Sequence, residues 1–133
     1  MLAALPCSTV GCRIHVVFGY GIVGGFALML LWGGAALLVK RGPTAWFWRL
    51  LAVLQVVLIA QIVAGTVLLV AGHRQSLLHF GYGSLFPGIV LVVAHILGRG
   101  MESERDTLLV FTAASFFLFG LTLRALTTGL GFA

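Results

Sequence analysis

Four long apolar runs, separated by three short polar stretches, make up almost the whole chain. The runs cover 14–39, 46–71, 77–97 and 107–127, and charge enters them only near an end, at Arg49 and Arg124. A helix rises about 1.5 Å per residue, so about 20 residues cross a hydrocarbon core of about 30 Å. All four runs reach that length, the last with least to spare. Lipid offers no partner to backbone polar groups, and a helix satisfies them within its own segment. The connections KRGPTA, GHRQS and GRGMESERD are short and force successive helices to run antiparallel as neighbours. The pattern therefore predicts an all-α integral membrane protein: one transmembrane domain, 1–133, built as an up-down-up-down four-helix bundle. Breakers fall between the runs, at Gly42-Pro43, Gly72, Gly98 and Gly100. Ser8 or Thr9 is placed to cap the first helix. Pro87 removes the backbone bond to Gly83 and predicts a kink in the third.

Composition agrees with the pattern. The 133 residues are 61% hydrophobic and 8% charged, with a mean hydropathy of +1.16. A soluble domain carries about a quarter of its residues as charges, so a soluble fold is excluded. The net charge of +5 does not signal nucleic acid, because the basic residues stand singly or in pairs at run ends, as juxtamembrane anchors do. The opening MLAALPCSTVGCR has no basic stretch before an apolar core, so a cleavable signal peptide is not expected. The membrane face nearest the N-terminus, side A, carries Arg13, Arg74 and Arg124, whereas side B carries Lys40, Arg41, Arg49, Arg99 and Arg105. Positive residues favour the inside, which places both termini outside; a prokaryotic plasma membrane is the expected home. The three acids Glu102, Glu104 and Asp106 share one side-B loop. They are expected to pair with Arg99 and Arg105 or to cap the fourth helix rather than to catalyse.

The histidines change the picture. His15 opens the first helix and His79 the third, so both stand at a similar depth on side A. An ionisable side chain in a membrane span is a functional candidate by default. Two imidazoles facing each other across a four-helix bundle can ligate a haem iron from both sides. Each has glycine four residues on, Gly19 and Gly83, on the same helix face, which would leave room for a porphyrin. Gly65 and Gly120 stand at comparable depth on the second and fourth helices. Arg74 and Arg124 could pair with haem propionates. FGYG occurs at Phe18–Gly21 and again at Phe80–Gly83, in imperfect register with the histidines, and suggests an internal two-helix repeat. The plainer alternative stays open: such glycines also mark close helix packing, and a histidine at a helix start also sits in the interface, beside Tyr20 or Tyr82.

The stretch QIVAGTVLLVAGHRQSLLHFGYG, Gln61–Gly83, resembles a segment of the haem A synthase family. There a helix with Q-x-x-x-G-x-x-V-L leads through a short outer loop into a helix opening on a haem-ligand histidine. Each four-helix half of that eight-helix fold carries one histidine pair on alternate helices, and His15 and His79 match the arrangement. The chain corresponds to one such half, so the resemblance implies one site holding haem b. Cys7 and Cys12 are similar to the outer-face cysteine pair of some members, and an outer location would suit a disulfide. The family also has a carboxylate shortly before its first helical histidine, implicated in oxidation. Here Gly11, Cys12, Arg13 and Ile14 precede His15, and no acid stands on side A. That departure favours binding or electron transfer over an enzyme.

The remaining polar residues carry less. His95 lies sixteen residues after His79, at the opposite face and about 160° round the helix, which suits packing or a subunit contact. His73 belongs to a side-A loop and is expected to be solvated or to meet a partner. CSTVGCRIH lacks the C-x-x-C-H run of covalent haem attachment, and Cys7, Cys12 and His15 do not show a recognised zinc spacing. Gln55 and Gln61 are polar residues within the second run, and Gln61 is expected to hydrogen-bond across helices. Three classes follow. One is a bis-histidine haem b protein serving electron transfer or haem handling in a respiratory chain, with lipid and respiratory subunits or further copies of itself as partners. The second is a cofactor-free structural or assembly subunit of a larger membrane complex. A transporter, which would want charged or unwound midplane sites, ranks last.

Overall fold

The computed structural model describes residues 9–131. They form four helices: α1, Val10–Leu38; α2, Ala45–Val70; α3, Leu77–Arg99; and α4, Glu104–Gly129. There is no strand among the described residues. All four are long and apolar enough to cross a membrane, so the chain has the spans of an integral membrane protein.

Each start is fixed by a hydroxyl. Thr9, Thr44, Ser76 and Ser103 stand in extended backbone, and their side chains accept from the amides of Cys12, Phe47, His79 and Asp106. A cap of this kind satisfies one of the donors a helix start leaves free. Ser8, the other candidate cap, lies outside the described residues. At their far ends α1 and α2 close in the same way. Arg41 N–H returns to Ala36 O at 2.9 Å, and His73 N–H to Leu68 O at 2.9 Å. The residue between must be left-handed: Gly72 meets this at φ +102°, but Lys40 holds φ +56° with a full side chain.

The expected kink in α3 takes the form of a π turn. One α-helical turn, Leu77–Phe80, passes into a π segment, Gly81–Leu85, before the regular helix Phe86–Arg99. Pro87 has no N–H to give Gly83, and Phe86 N–H reaches back five residues to Gly81 O. The two FGYG copies therefore differ in backbone, since Phe18–Gly21 lies in unbroken α-helix.

Packing departs from a simple ring of sequential neighbours. α1 and α4 form the central and largest interface; α2 packs on α1, and α3 packs on α4. α2 and α3 share little backbone contact, although the loop between them is short. Side chains bridge them, with His95 Nε2 2.6 Å from Gln55 Oε1.

The acids are placed differently from the expected ion pairs. Among the described residues none of them pairs with Arg99 or Arg105. Arg105 Nη2 instead donates to Leu37 O at the end of α1, at 3.1 Å. Glu104 and Asp106 fall in the first turn of α4, where they complement the helix dipole.

The apolar core is confined to the side-B half and the middle of the bundle. Ile22, Phe26 and Met29 of α1 meet Phe47, Leu51, Leu54 and Leu58 of α2 and Leu108, Phe111 and Leu118 of α4. On the side-A half, α1 before Ile22 and α2 after Leu58 bury no residue, and α3 buries none before Pro87. Only α4 is buried at that level, through Thr122, Ala125 and Thr128. That half has no large fully buried side chain, and both candidate histidines stand in it.

Candidate functional site

His15 and His79 converge. Their ring centroids are 6.3 Å apart, with ring planes inclined at 71°. A metal–imidazole bond is about 2.0–2.1 Å, so two imidazoles on opposite sides of one metal put their ring centres roughly 6 Å apart. Both rings are half-buried.

The tautomer of His79 can be read from its partner. Nδ1 lies 2.8 Å from Ala125 O on α4. A carbonyl only accepts, so Nδ1 of the neutral ring carries the proton and Nε2 keeps a lone pair. Metal-binding histidines are anchored in this way, through the ring nitrogen that does not face the metal. Gly129 lets the ring lie flat against α4: a Cβ there would stand 2.7 Å from Cε1 and 2.9 Å from Nδ1 of His79.

His15 is seated on α2. A Cβ at Gly65 would stand 3.1 Å from His15 Cε1. One turn earlier on α2, Gln61 donates through Nε2 to the main-chain carbonyl of His15. Two buried polar atoms at this place have no hydrogen-bond partner, His15 Nδ1 and Gln61 Oε1.

The other expected site residues divide. Gly65 stands beside His15. The space beside Gly19 is taken by the Gln61 amide and Leu126, at 3.5 and 3.6 Å from where a Cβ would be, and that beside Gly83 by Ala125 at 3.5 Å. Gly120 is exposed and has nothing near it, so it does not join the small-residue level. Arg124 is exposed on side A with its guanidinium 5.9 Å from the Tyr82 ring, and Arg74 is exposed in the α2–α3 loop. His73 is half-buried in the same loop. His95 is at the far face with Gln55. The Cys12 thiol is not free, and Cys7 lies outside the described residues. Among the described residues there is no group of three or more His, Cys, Asp and Glu side chains that could hold a metal.

Sequence reasoning missed Gly129 and Ala125, whereas the expected cross-helix hydrogen bond of Gln61 is made, to the carbonyl of His15. Gln61 carried a usable signal, a polar side chain one helical turn from Gly65. Ala125 acts only through its backbone, which no residue pattern reveals.

The residues fit haem ligation in two respects: the separation of the rings, and a Nδ1–H anchor that leaves His79 Nε2 available. No family model, curated protein or solved structure matches the chain.

Proposed function

We propose that the chain is a b-type haem protein of the membrane, in which His15 and His79 would hold the haem iron, serving electron transfer or haem handling in a respiratory chain. The observation that carries the reading is the meeting of the two rings at 6.3 Å inside the half of the bundle that lacks a large apolar core. Bound between them, haem supplies one-electron chemistry, and two protein ligands leave its iron no open position. His79 offers Nε2 because Ala125 O holds its Nδ1 proton. Arg124 and Arg74, exposed on side A, are the candidate partners of the propionates. The likeness of Gln61–Gly83 to haem A synthases belongs to this reading, as does a prokaryotic plasma membrane with both termini outside. Glu102, Glu104 and Asp106 stand at the side-B end, away from the histidines, so the reading assigns no acid to chemistry at the site.

The test is a reduced-minus-oxidised visible spectrum of the detergent-purified chain beside His15→Ala and His79→Ala. The expected result is a sharp b-type α-band that either substitution abolishes. A featureless spectrum from folded protein produced with ample haem would sink the proposal.

One observation favours the second reading, a cofactor-free structural or assembly subunit. Gly19 and Gly83 face protein side chains, as helix-packing glycines do. That reading expects a colourless chain that co-purifies with partners and tolerates loss of His15.

A further inference from the structure

We infer that Gln61 is a positioning residue for His15: its carboxamide holds the His15 ring in the Nδ1–H tautomer, so that Nε2 keeps its lone pair for a ligand. The inference rests on the haem reading for its purpose, but its chemistry stands on this chain alone.

The two histidines are anchored unequally by the backbone. His79 gives its Nδ1 proton to Ala125 O. His15 has no such carbonyl. Its Nδ1 is buried without a partner, and so is the Oε1 of Gln61. A buried polar atom left unsatisfied forfeits its hydrogen bonds to water without replacement, and these two are complementary. Nδ1–H is a donor in search of an acceptor, and a carboxamide oxygen only accepts. They also belong to groups already in contact, because Gln61 Nε2 donates to His15 O. The amide is confined there, with Gly19 beneath it at 3.5 Å from the position of a Cβ. A small rocking of either side chain, or one bridging water, joins the two atoms. Gln61 then clamps one residue twice, by its main-chain carbonyl and by its ring. The opposite tautomer would put the proton on Nε2, where it blocks the lone pair a metal needs, and leave the oxygen of Gln61 without a donor.

Gly19 thereby acquires a role distinct from cradling a macrocycle. It admits the carboxamide that orients the ligand one turn away on its own helix. An alanine at Gly19 would stay within ordinary contact of the amide, whereas a longer side chain would expel it.

The experiment uses haem-free, ¹⁵N-histidine-labelled full chain in detergent micelles. Imidazole nitrogen shifts report the tautomer of each ring, assigned with His15→Ala and His79→Ala. In the parent protein both rings should carry the proton on Nδ1. Gln61→Leu should move His15 to the Nε2–H form that a free imidazole prefers, with His79 unchanged as an internal control for folding. Gln61→Glu keeps an acceptor and should keep Nδ1–H. If His15 keeps its Nδ1 proton in Gln61→Leu, or lacks it in the parent protein, the inference is overturned. With haem added, Gln61→Leu should retain it about 10–100-fold less tightly, the usual cost of losing such a partner. A tautomer switch in a chain that takes up no haem would uphold the Gln61 contact and remove the haem reading, so the two are separately decided.

Discussion

Two glycines decide where the histidine rings can lie, and a third, which the sequence sets at the same depth as Gly65, does not. Gly129 and Gly65 each touch a ring, whereas Gly120 touches nothing. A Cβ at Gly129 would stand under 3 Å from two atoms of His79, one of them the Nδ1 that bonds Ala125 O. The ring is the movable partner, so Gly129→Ala should swing it away rather than unfold the bundle. The expected outcome is a folded protein that retains haem about 10–100-fold less tightly, as for loss of another contact that orients a ligand. Gly120→Ala should leave haem retention unchanged and, by helix propensity alone, stabilise α4 by up to about 1 kcal/mol. Haem-to-protein ratio after gel filtration checks both; equal retention in the two variants would deny Gly129 its role. The histidine pair itself was legible in the sequence, because alternate antiparallel helices return to the same face and both histidines open a helix there. Of the glycines only Gly65 was, because i+4 spacing shows only that two residues share a face, not which neighbouring helix fills the space beside them.

At the scale of helices, the largest interface is that of α1 and α4, and Gly33 meets Thr112 in it. A Cβ on Gly33 would come within 2.1 Å of Thr112 Oγ1 and 3.1 Å of both other Thr112 side-chain carbons, with Thr112 buried. Packing between small residues drives helix association in lipid, where apolar burial contributes little. Gly33→Ala should therefore destabilise the bundle by about 1–3 kcal/mol, the usual cost of overpacking. Thr112→Ala in the same chain should recover part of that loss, because residues in contact couple. Thermal unfolding in detergent measures both, and an additive double variant would place the strain elsewhere. A chain of edge-to-face rings then ties all four helices near side B: Trp32 of α1 on Phe47 of α2, Trp48 on Phe111 of α4, and Phe111 on His95 of α3. Helix number and order followed from run length, but α1 and α4 start before their apolar runs, at Val10 and Glu104, because Thr9 and Ser103 cap them there. The distance between α2 and α3 did not follow, because a short loop fixes only where two helices meet at one end. The form of the break in α3 was hidden too. Pro87 forbids one hydrogen bond, but kink and π turn are both ways of losing it.

The whole molecule is two unequal halves, and the inequality is what makes it a candidate receptor for a large flat group. Side B has the large buried side chains, the ring chain and the acid-rich start of α4, while side A has half-buried histidines, glycines, hydroxyls and a π turn. A group that binds only the folded state stabilises it by mass action, by about 2.7 kcal/mol when its concentration is 100 times its dissociation constant. In a uniformly packed bundle that gain would spread over every helix. Here the side-B core is already closed, so haem should tighten the part that lacks one. Hydrogen exchange of the detergent-solubilised chain, with and without haem, can read this directly. Added protection should appear in 15–22, 61–70, 77–87 and 122–129 and be near absent in 47–58 and 108–118, the segments of the existing core. The side-A turn of α3 should respond most, because it carries His79 and its π turn interrupts the regular helical ladder there. Protection shared evenly by both halves would mean that haem acts on the bundle as a whole, or on its surface. Protection confined to side B would move the binding site to the far face, where His95 and Gln55 stand, and would leave His15 and His79 as a pair that only joins α1 to α3.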